Sequence, residues 1–136
     1  MIQDTKYRLY QDFLEQFPLE SLEYMTLEKY TNLNRDDSFC YWLESKTETL
    51  GSIWGGSAYK FNIFRYIKEP KYNGKYLHDN KYSWYARLGK SADEAFAGTK
   101  ELIVRIAHLA SEGNLEAIDR IRGIGHAFKW KIAFMY

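Results

Sequence analysis

The sequence contains a single cysteine, Cys40, among its 136 residues. One thiol cannot form an intramolecular disulfide or a cysteine-based zinc site, and such scarcity is typical of proteins in a reducing compartment. No apolar run approaches the ~20 residues that a membrane-spanning helix needs. The first residues are charged and lack the apolar segment of a secretory signal. We therefore expect a cytoplasmic protein without a membrane partner.

The sequence also lacks an excess of either charge. It carries 19 basic and 18 acidic residues, which leaves a net charge of +1. This balance supplies no global attraction to a polyanion, so any contact with nucleic acid has to come from a local patch. The length fits one domain, residues 1–136, and the 46% of hydrophobic residues argue against a disordered chain.

Aromatic side chains are abundant, at 18% of the residues, with 12 Tyr, 8 Phe and 4 Trp. Tyrosine and tryptophan combine a large apolar ring with a polar group. They can fill a small core, and they can also form a pocket for a flat ligand. Composition does not decide between these two uses.

The predicted elements indicate an α+β fold with a mainly antiparallel sheet, an N-terminal helix and a long helix before the last strand. Apolar residues at intervals of three and four predict a helix over residues 4–17. Ser91 and Glu94 form a capping-box pattern that opens the long helix, and Gly113 is a natural residue to end it.

Alternating apolar and polar residues predict the strands. We expect them at residues 38–44, 59–67, 82–88 and 128–136. The last of these becomes wholly apolar and has no polar tail. From this ending we expect the chain to be one domain of a longer protein; the alternative is a natural C-terminal strand.

The sequence shows no strong catalytic or metal-binding pattern. The three histidines, His78, His108 and His126, have no metal-ligand spacing, and no cofactor is expected. Cys40 is better explained as a buried thiol than as a nucleophile because no base stands beside it. The glycine-rich residues 51–57 lack the spacing of a phosphate-binding loop and instead predict a tight turn.

A more informative group combines aromatic rings with basic residues. Rings stack on nucleobases, at ~1–3 kcal/mol per base, while lysine and arginine neutralise phosphates. The alternative is a tyrosine-rich core surrounded by solvated lysines. The rings in question are Trp42, Trp54, Tyr59, Trp84, Tyr41, Tyr85 and Trp130, and the basic residues include Lys60, Arg65 and Arg87.

Four segments resemble the N-terminal region of McrB-like AAA+ proteins, the nucleotide-driven subunits of modification-dependent restriction systems. They are residues 27–33, 39–44, 50–61 and 129–136, and the resemblance extends from about Pro18 to Tyr136. It implies a DNA-recognition domain that reads a modified base, in several cases after flipping it into an aromatic pocket. It also implies an AAA+ module in the same chain and a nuclease subunit as partner. Because residues 1–136 contain no Walker motif, the AAA+ module is either absent or lies beyond Tyr136.

The leading hypothesis is therefore a non-catalytic domain that binds DNA, with or without a modified base, in an aromatic pocket. In this hypothesis Trp42, Trp54, Tyr59 and Trp84 hold the base, Glu44 or Asn62 reads its edge, and Lys60, Arg65 and Arg87 contact phosphates.

Two other hypotheses remain open. One is a protein-interaction or assembly domain of the same kind of machine, with exposed rings as its anchors. The other is a small nucleic-acid-processing enzyme, for which the candidates are Glu44, Asp36, Asp37 and His126.

Overall fold

A computed structural model describes residues 2–31, 37–71 and 74–136 of the protein. Asp36, one of the candidate catalytic residues, lies outside these ranges. The helices are α1 (Ile2–Gln16), α2 (Leu27–Thr31), α3 (Phe39–Tyr41), α4 (Ala92–Ser111), α5 (Leu115–Asp119) and α6 (His126–Met135), and the strands are β1 (Ile63–Arg65), β2 (Tyr76–His78) and β3 (Tyr82–Tyr85). Short 3₁₀ turns cover Leu19–Tyr24, Glu48–Leu50, Ala58–Phe61 and Ala86–Leu88, and a π turn covers Trp42–Lys46.

The three strands form one antiparallel sheet in the order β1-β3-β2. Trp84 of β3 pairs with Ile63 of β1 and with Leu77 of β2. Ile63 and Trp84 are buried, so this register directs one face of the sheet into the core. The predicted α+β class, with an antiparallel sheet, an N-terminal helix and a long helix, is confirmed.

The long helix α4 lies at the centre of the molecule. Ser91 is its N-cap: its hydroxyl oxygen accepts a hydrogen bond from the Glu94 amide at 3.1 Å. The Glu94 carboxylate in turn accepts one from the Lys90 amide at 2.7 Å, so the predicted capping pattern is confirmed. Ile103 and Ile106 are fully buried where α4 packs between α6 and the sheet.

Much of the aromatic content fills the core between α1, α3 and α6. Phe13, Phe17, Phe39 and Trp42 are all buried. Phe17 meets Phe39 edge-on at 5.2 Å between ring centres, a favoured geometry for aromatic pairs. The helix predicted near the N-terminus is confirmed, and its apolar face is this aromatic layer.

The prediction of a final strand over residues 128–136 is wrong, because this segment is helix α6. Phe128, Ile132 and Met135 are buried at helical spacing, against α4 and α1. The misleading alternation came from Lys129 and Lys131, which are buried too and use their ammonium groups on main-chain carbonyls. In the sequence alone, a buried lysine cannot be distinguished from a lysine on the exposed face of a strand.

Two further strand predictions need correction. Residues 38–44 are helical: the Ser38 hydroxyl accepts from the Tyr41 amide, and α3 continues into the π turn. Of residues 59–67, the first part is a 3₁₀ turn and β1 begins at Ile63. Asn62 separates the two at φ 70°, which breaks the strand. Of residues 82–88, Tyr82–Tyr85 forms β3 as predicted.

Candidate functional site

A cavity of about 500 Å³ opens beside Trp54. Its walls come from three segments: the helical residues 38–44, the glycine loop at residues 54–56, and the chain from the 3₁₀ turn into β1. This volume is within the range of small-molecule sites. The described lining residues are Thr31, Ser38, Cys40, Tyr41, Glu44, Trp54, Gly55, Gly56, Ala58, Phe61, Phe64 and Arg65.

The Trp54 indole is 74% exposed at the edge of this cavity, which we call the Trp54 cavity. Gly55 and Gly56 follow it with φ values of 103° and 70°. A Cβ at either position would meet no atom within 4 Å, so the left-handed backbone, not lack of space, favours glycine here. The predicted tight turn is present, and it presents an aromatic ring to solvent.

The Lys60 side chain fixes the glycine loop that contains Trp54. Its ammonium group pairs with the Glu44 carboxylate and donates to the carbonyls of Ile53, at 2.8 Å, and Gly55, at 2.7 Å. These three acceptors match the three N–H bonds of an ammonium group. The predicted role of Lys60 as a phosphate contact is therefore replaced by a structural one.

Lys131, which is buried, fixes the start of the same loop. The Lys131 ammonium group donates to the carbonyls of Thr47, at 2.8 Å, and Gly51. Burial lowers the pKa of Lys131 to about 8. The position of Lys131 within the apolar C-terminal segment indicates a buried cation. Its partners, Thr47 and Gly51, lie 84 and 80 residues away in the sequence, so the sequence does not identify them.

Glu44 and Arg65 supply the charged groups of the Trp54 cavity. The Oε2 atom of Glu44 faces Lys60, and the Glu44 side chain is 20% exposed where it lines the cavity. Arg65 at the end of β1 forms no ion pair with any residue that the structure describes. Both were predicted as site residues, and the structure places them on one cavity with Trp54. Phe64 and Phe61 line the same cavity and were not predicted.

Trp42 and Trp84 lie in the core, with 6% and 3% of their surfaces exposed. Trp84 donates from its indole nitrogen to the Gly89 carbonyl at 3.0 Å, so its polar group is satisfied internally. Lys46 lies over the Trp42 ring, 4.4 Å from its centre. These positions correct the expectation that the two indoles line an open pocket, since helical residues 42–46 and β3 turn them inward.

Tyr59, Asn62 and Arg87 meet at a second cavity of about 450 Å³, which we call the Arg87 cavity. The Tyr59 ring stacks on Tyr76 at 3.7 Å, and its hydroxyl lies 2.6 Å from that of Ser83. Asn62 is buried and its amide donates to the Gly123 carbonyl at 2.9 Å. Asn62 is therefore engaged in the wall instead of reading a base, which corrects that part of the predicted site.

Cys40 belongs to the wall of the Trp54 cavity, and its side chain is buried. Burial raises the pKa of its thiol well above the ordinary value, and the same cause raises the pKa of the neighbouring Tyr30 hydroxyl. A thiol that stays protonated is a poor nucleophile. The interpretation of Cys40 as a buried thiol is confirmed.

The remaining titratable candidates are dispersed. His78 pairs with Glu69 at 3.1 Å on the sheet edge, while His126 is exposed at the start of α6. Within residues 2–31, 37–71 and 74–136, no group of three or more His, Cys, Asp or Glu side chains is arranged to hold a metal ion. No helix in the same ranges combines the length and apolar character needed to cross a membrane.

Comparison with known proteins adds no identification. No protein-family model matches the chain, and neither a curated protein nor a solved structure matches it significantly. The resemblance to McrB-like proteins therefore stays a prediction, and the functional argument depends on the Trp54 cavity itself.

Proposed function

We propose that this chain is a non-enzymatic DNA-recognition domain that holds one unpaired or flipped base in the Trp54 cavity. The observation that carries the proposal is the open cavity of about 500 Å³ with a largely exposed indole at its edge. An exposed tryptophan beside a concave, partly apolar surface offers a stacking face to a flat ligand.

The chemistry of the lining suits a nucleobase. Trp54 and Phe64 offer aromatic surface for stacking. Glu44 lines the cavity with a side chain that is 20% exposed, and carboxylates accept hydrogen bonds from exocyclic amino groups such as N4 of cytosine. The proposed site therefore favours a base with an exocyclic amino group, which cytosine, adenine and guanine have, over thymine.

Arg65 is the proposed phosphate contact of this site. It lines the cavity and has no ion-pair partner in the described part of the chain. The net charge of +1 gives the protein little general attraction to DNA. Stacking and base-edge contacts therefore have to offset the few kcal/mol that flipping costs, which favours bases whose pairing is already weakened.

The proposal also covers the cellular setting implied by the sequence resemblance. We propose a cytoplasmic domain of a modification-dependent restriction system, with an AAA+ module in the same chain and a nuclease subunit as partner. A recognition domain of this kind needs no catalytic group of its own, since cleavage would belong to the partner.

Substitution of Trp54 tests the proposal. The probes are 20-base-pair duplexes that differ at one central position: cytosine, 5-methylcytosine, 5-hydroxymethylcytosine, N6-methyladenine, or a mismatched cytosine. We expect the parent protein to prefer at least one altered duplex. Trp54→Ala should weaken that binding by about 5- to 150-fold, the equivalent of one stacking contact, and should change binding to the unmodified duplex little.

Two variants serve as controls. Trp54→Phe keeps a ring and should retain part of the preference. Tyr24→Ala removes a ring that is 77% exposed but lies outside the lining of both cavities, and should bind like the parent. Equal affinity of the parent and Trp54→Ala for every duplex would overturn the proposal.

A protein-interaction domain is the second candidate. Large apolar side chains are exposed away from the Trp54 cavity, including Tyr7, Tyr24 and Phe134. An interface built on such anchors depends little on salt, whereas DNA binding weakens steeply as salt is added. Binding of a protein partner that is unchanged between 50 and ~300 mM salt, together with no binding of any duplex, would favour this candidate.

A further inference from the structure

The Arg87 cavity and the Trp54 cavity share one 3₁₀ turn, Ala58–Phe61, in their walls. Ala58 and Phe61 line the Trp54 cavity, while Tyr59 and Lys60 line the other. Lys60 also bonds to Glu44 and Gly55 of the Trp54 cavity, so a single side chain connects the two walls. The two cavities are therefore close enough for one bound strand to reach both.

The lining of the Arg87 cavity carries positive but no negative side chains among the described residues. It consists of Tyr59, Lys60, Asn62, Tyr85, Arg87, Gly123, Ile124 and Gly125. The charge of Lys60 is matched by Glu44. The charge of Arg87 has no carboxylate partner in the described ranges, so the cavity has a net attraction for an anion.

Arg87 is held in a position that leaves its N–H groups accessible. Its guanidinium carbon lies 4.9 Å from the centre of the Tyr85 ring, and the side chain is otherwise exposed. Stacking on tyrosine orients a guanidinium group without using its hydrogen-bond donors. A guanidinium group with free donors is well suited to two hydrogen bonds with a phosphate.

The wall opposite Arg87 is fixed by Asn62. Its amide group donates to the Gly123 carbonyl at 2.9 Å and to the Thr99 hydroxyl at 3.3 Å. Gly123 has φ 91°, and a Cβ there would lie 4.0 Å from Arg87 Nη1. Gly123 therefore borders the guanidinium group, and its positive φ is a backbone conformation that favours glycine.

We infer that the Arg87 cavity is a phosphodiester subsite that holds the nucleic-acid backbone next to the base bound at Trp54. This inference rests on the proposed DNA recognition and extends it to a second surface. The backbone is the occupant that fits because the cavity adjoins the base cavity, and aromatic rings of Tyr59 and Tyr85 border it for contact with sugar or base.

The test measures how DNA affinity depends on salt for the parent and for Arg87→Gln, with the mismatched duplex and with a 12-nucleotide single strand as probes. A lost phosphate contact lowers the slope of log affinity against log salt by about 1 and weakens binding evenly across sequences. We expect this for Arg87→Gln and a parental slope for Arg87→Lys. Arg105→Gln, an exposed arginine on α4 outside both linings, is the matched control.

The outcomes separate the inference from the proposed function. If Trp54→Ala loses base preference while Arg87→Gln keeps the parental slope, the phosphodiester subsite is overturned and the base site stands. If Arg87→Gln lowers the slope while Trp54→Ala changes nothing, the base site is overturned and the subsite stands. If the parent binds neither probe at 20 mM salt, or if Arg87→Gln alters only the binding of free nucleoside monophosphates, the inference fails.

Discussion

At the scale of single residues, a buried lysine and a partly buried one decide how Trp54 is presented. Lys60 and Lys131 together donate to four carbonyls between Thr47 and Gly55. A loop of this kind leaves carbonyl groups that neighbouring strands or helices do not pair, and buried carbonyls without a donor are costly. The lysines satisfy them, and they thereby fix a segment that carries an exposed ring.

Lys131 gives the protein a pH-dependent stability. In the folded state its pKa is about 8, below the ordinary value of 10.5. Between these values the unfolded chain holds a proton on Lys131 that the folded chain has released, so the contribution of Lys131 to the free energy of unfolding rises as pH increases from 8 towards 10.5. We expect the parent to gain ~1–2 kcal/mol relative to Lys131→Met between pH 7 and pH 9.5.

Urea unfolding of both proteins across this pH range measures the difference directly. Tyr30 and Tyr136 have raised pKa values, so their ionisation lowers stability only above pH 10 and is shared by both proteins. Parallel stability profiles for the parent and Lys131→Met would contradict the lowered pKa.

At the scale of elements, local sequence signals were decisive for α4. Its N-cap is predictable because a serine oxygen and a backbone amide three residues later meet whenever a helix begins there. The segment before α4 is shaped by tertiary contacts as well: Gly89 has φ 149°, and a Cβ would lie 2.6 Å from Glu94 Cβ. Its carbonyl accepts the Trp84 indole N–H, which links the cap to β3.

These contacts predict an order of stabilities for variants at the start of α4. Ser91→Ala removes one capping bond and should lower the free energy of unfolding by ~1 kcal/mol. Gly89→Ala should cost more than Ser91→Ala, since it adds a clash with Glu94 to backbone strain. Ser111→Ala, at the exposed end of α4, should stay within ~0.5 kcal/mol of the parent. Urea denaturation ranks the three, and a Gly89→Ala protein as stable as the parent would refute the close approach.

Element type was misjudged where short apolar runs contain polar residues that are buried. In α3 and the following turn, Phe39 and Leu43 point inward at helical spacing, but Cys40 and Trp42 are buried as well. Alternation then carries no information about which face is exposed, and a strand and a buried helix look alike in the sequence. Packing of this segment against α1 and α2 stabilises it as a helix.

At the scale of the whole molecule, α6 closes the fold by packing against α4 and α1. The Tyr136 hydroxyl donates to the Phe17 carbonyl at 2.7 Å, which connects the last residue described to the end of α1. Between them lies the aromatic core. Trp42 and Trp84 therefore pack in the interior, whereas Trp54 is exposed at the surface.

Iodide quenching of tryptophan fluorescence tests this division. Trp42 and Trp84 are almost completely buried, Trp130 is partly buried, and Trp54 is 74% exposed. Iodide reaches exposed indoles, so Trp54→Phe should remove the largest share of the quenchable emission and shift the remaining spectrum to shorter wavelength. Quenching of Trp54→Phe at the parental level would mean that another indole is open to solvent, contrary to this fold.

The sequence by itself determined the α+β class, the start of α4, the strand Tyr82–Tyr85 and the glycine turn after Trp54, because each depends on neighbours a few residues apart. Only the tertiary structure decided which aromatic rings are buried and which cations are engaged. Trp42, Trp84 and Lys60 were expected in the site and proved structural, while Trp54, Glu44 and Arg65 meet at one cavity. The physical reason is that burial and charge pairing are set by contacts between segments distant in the chain, and such contacts leave no periodic trace in the sequence.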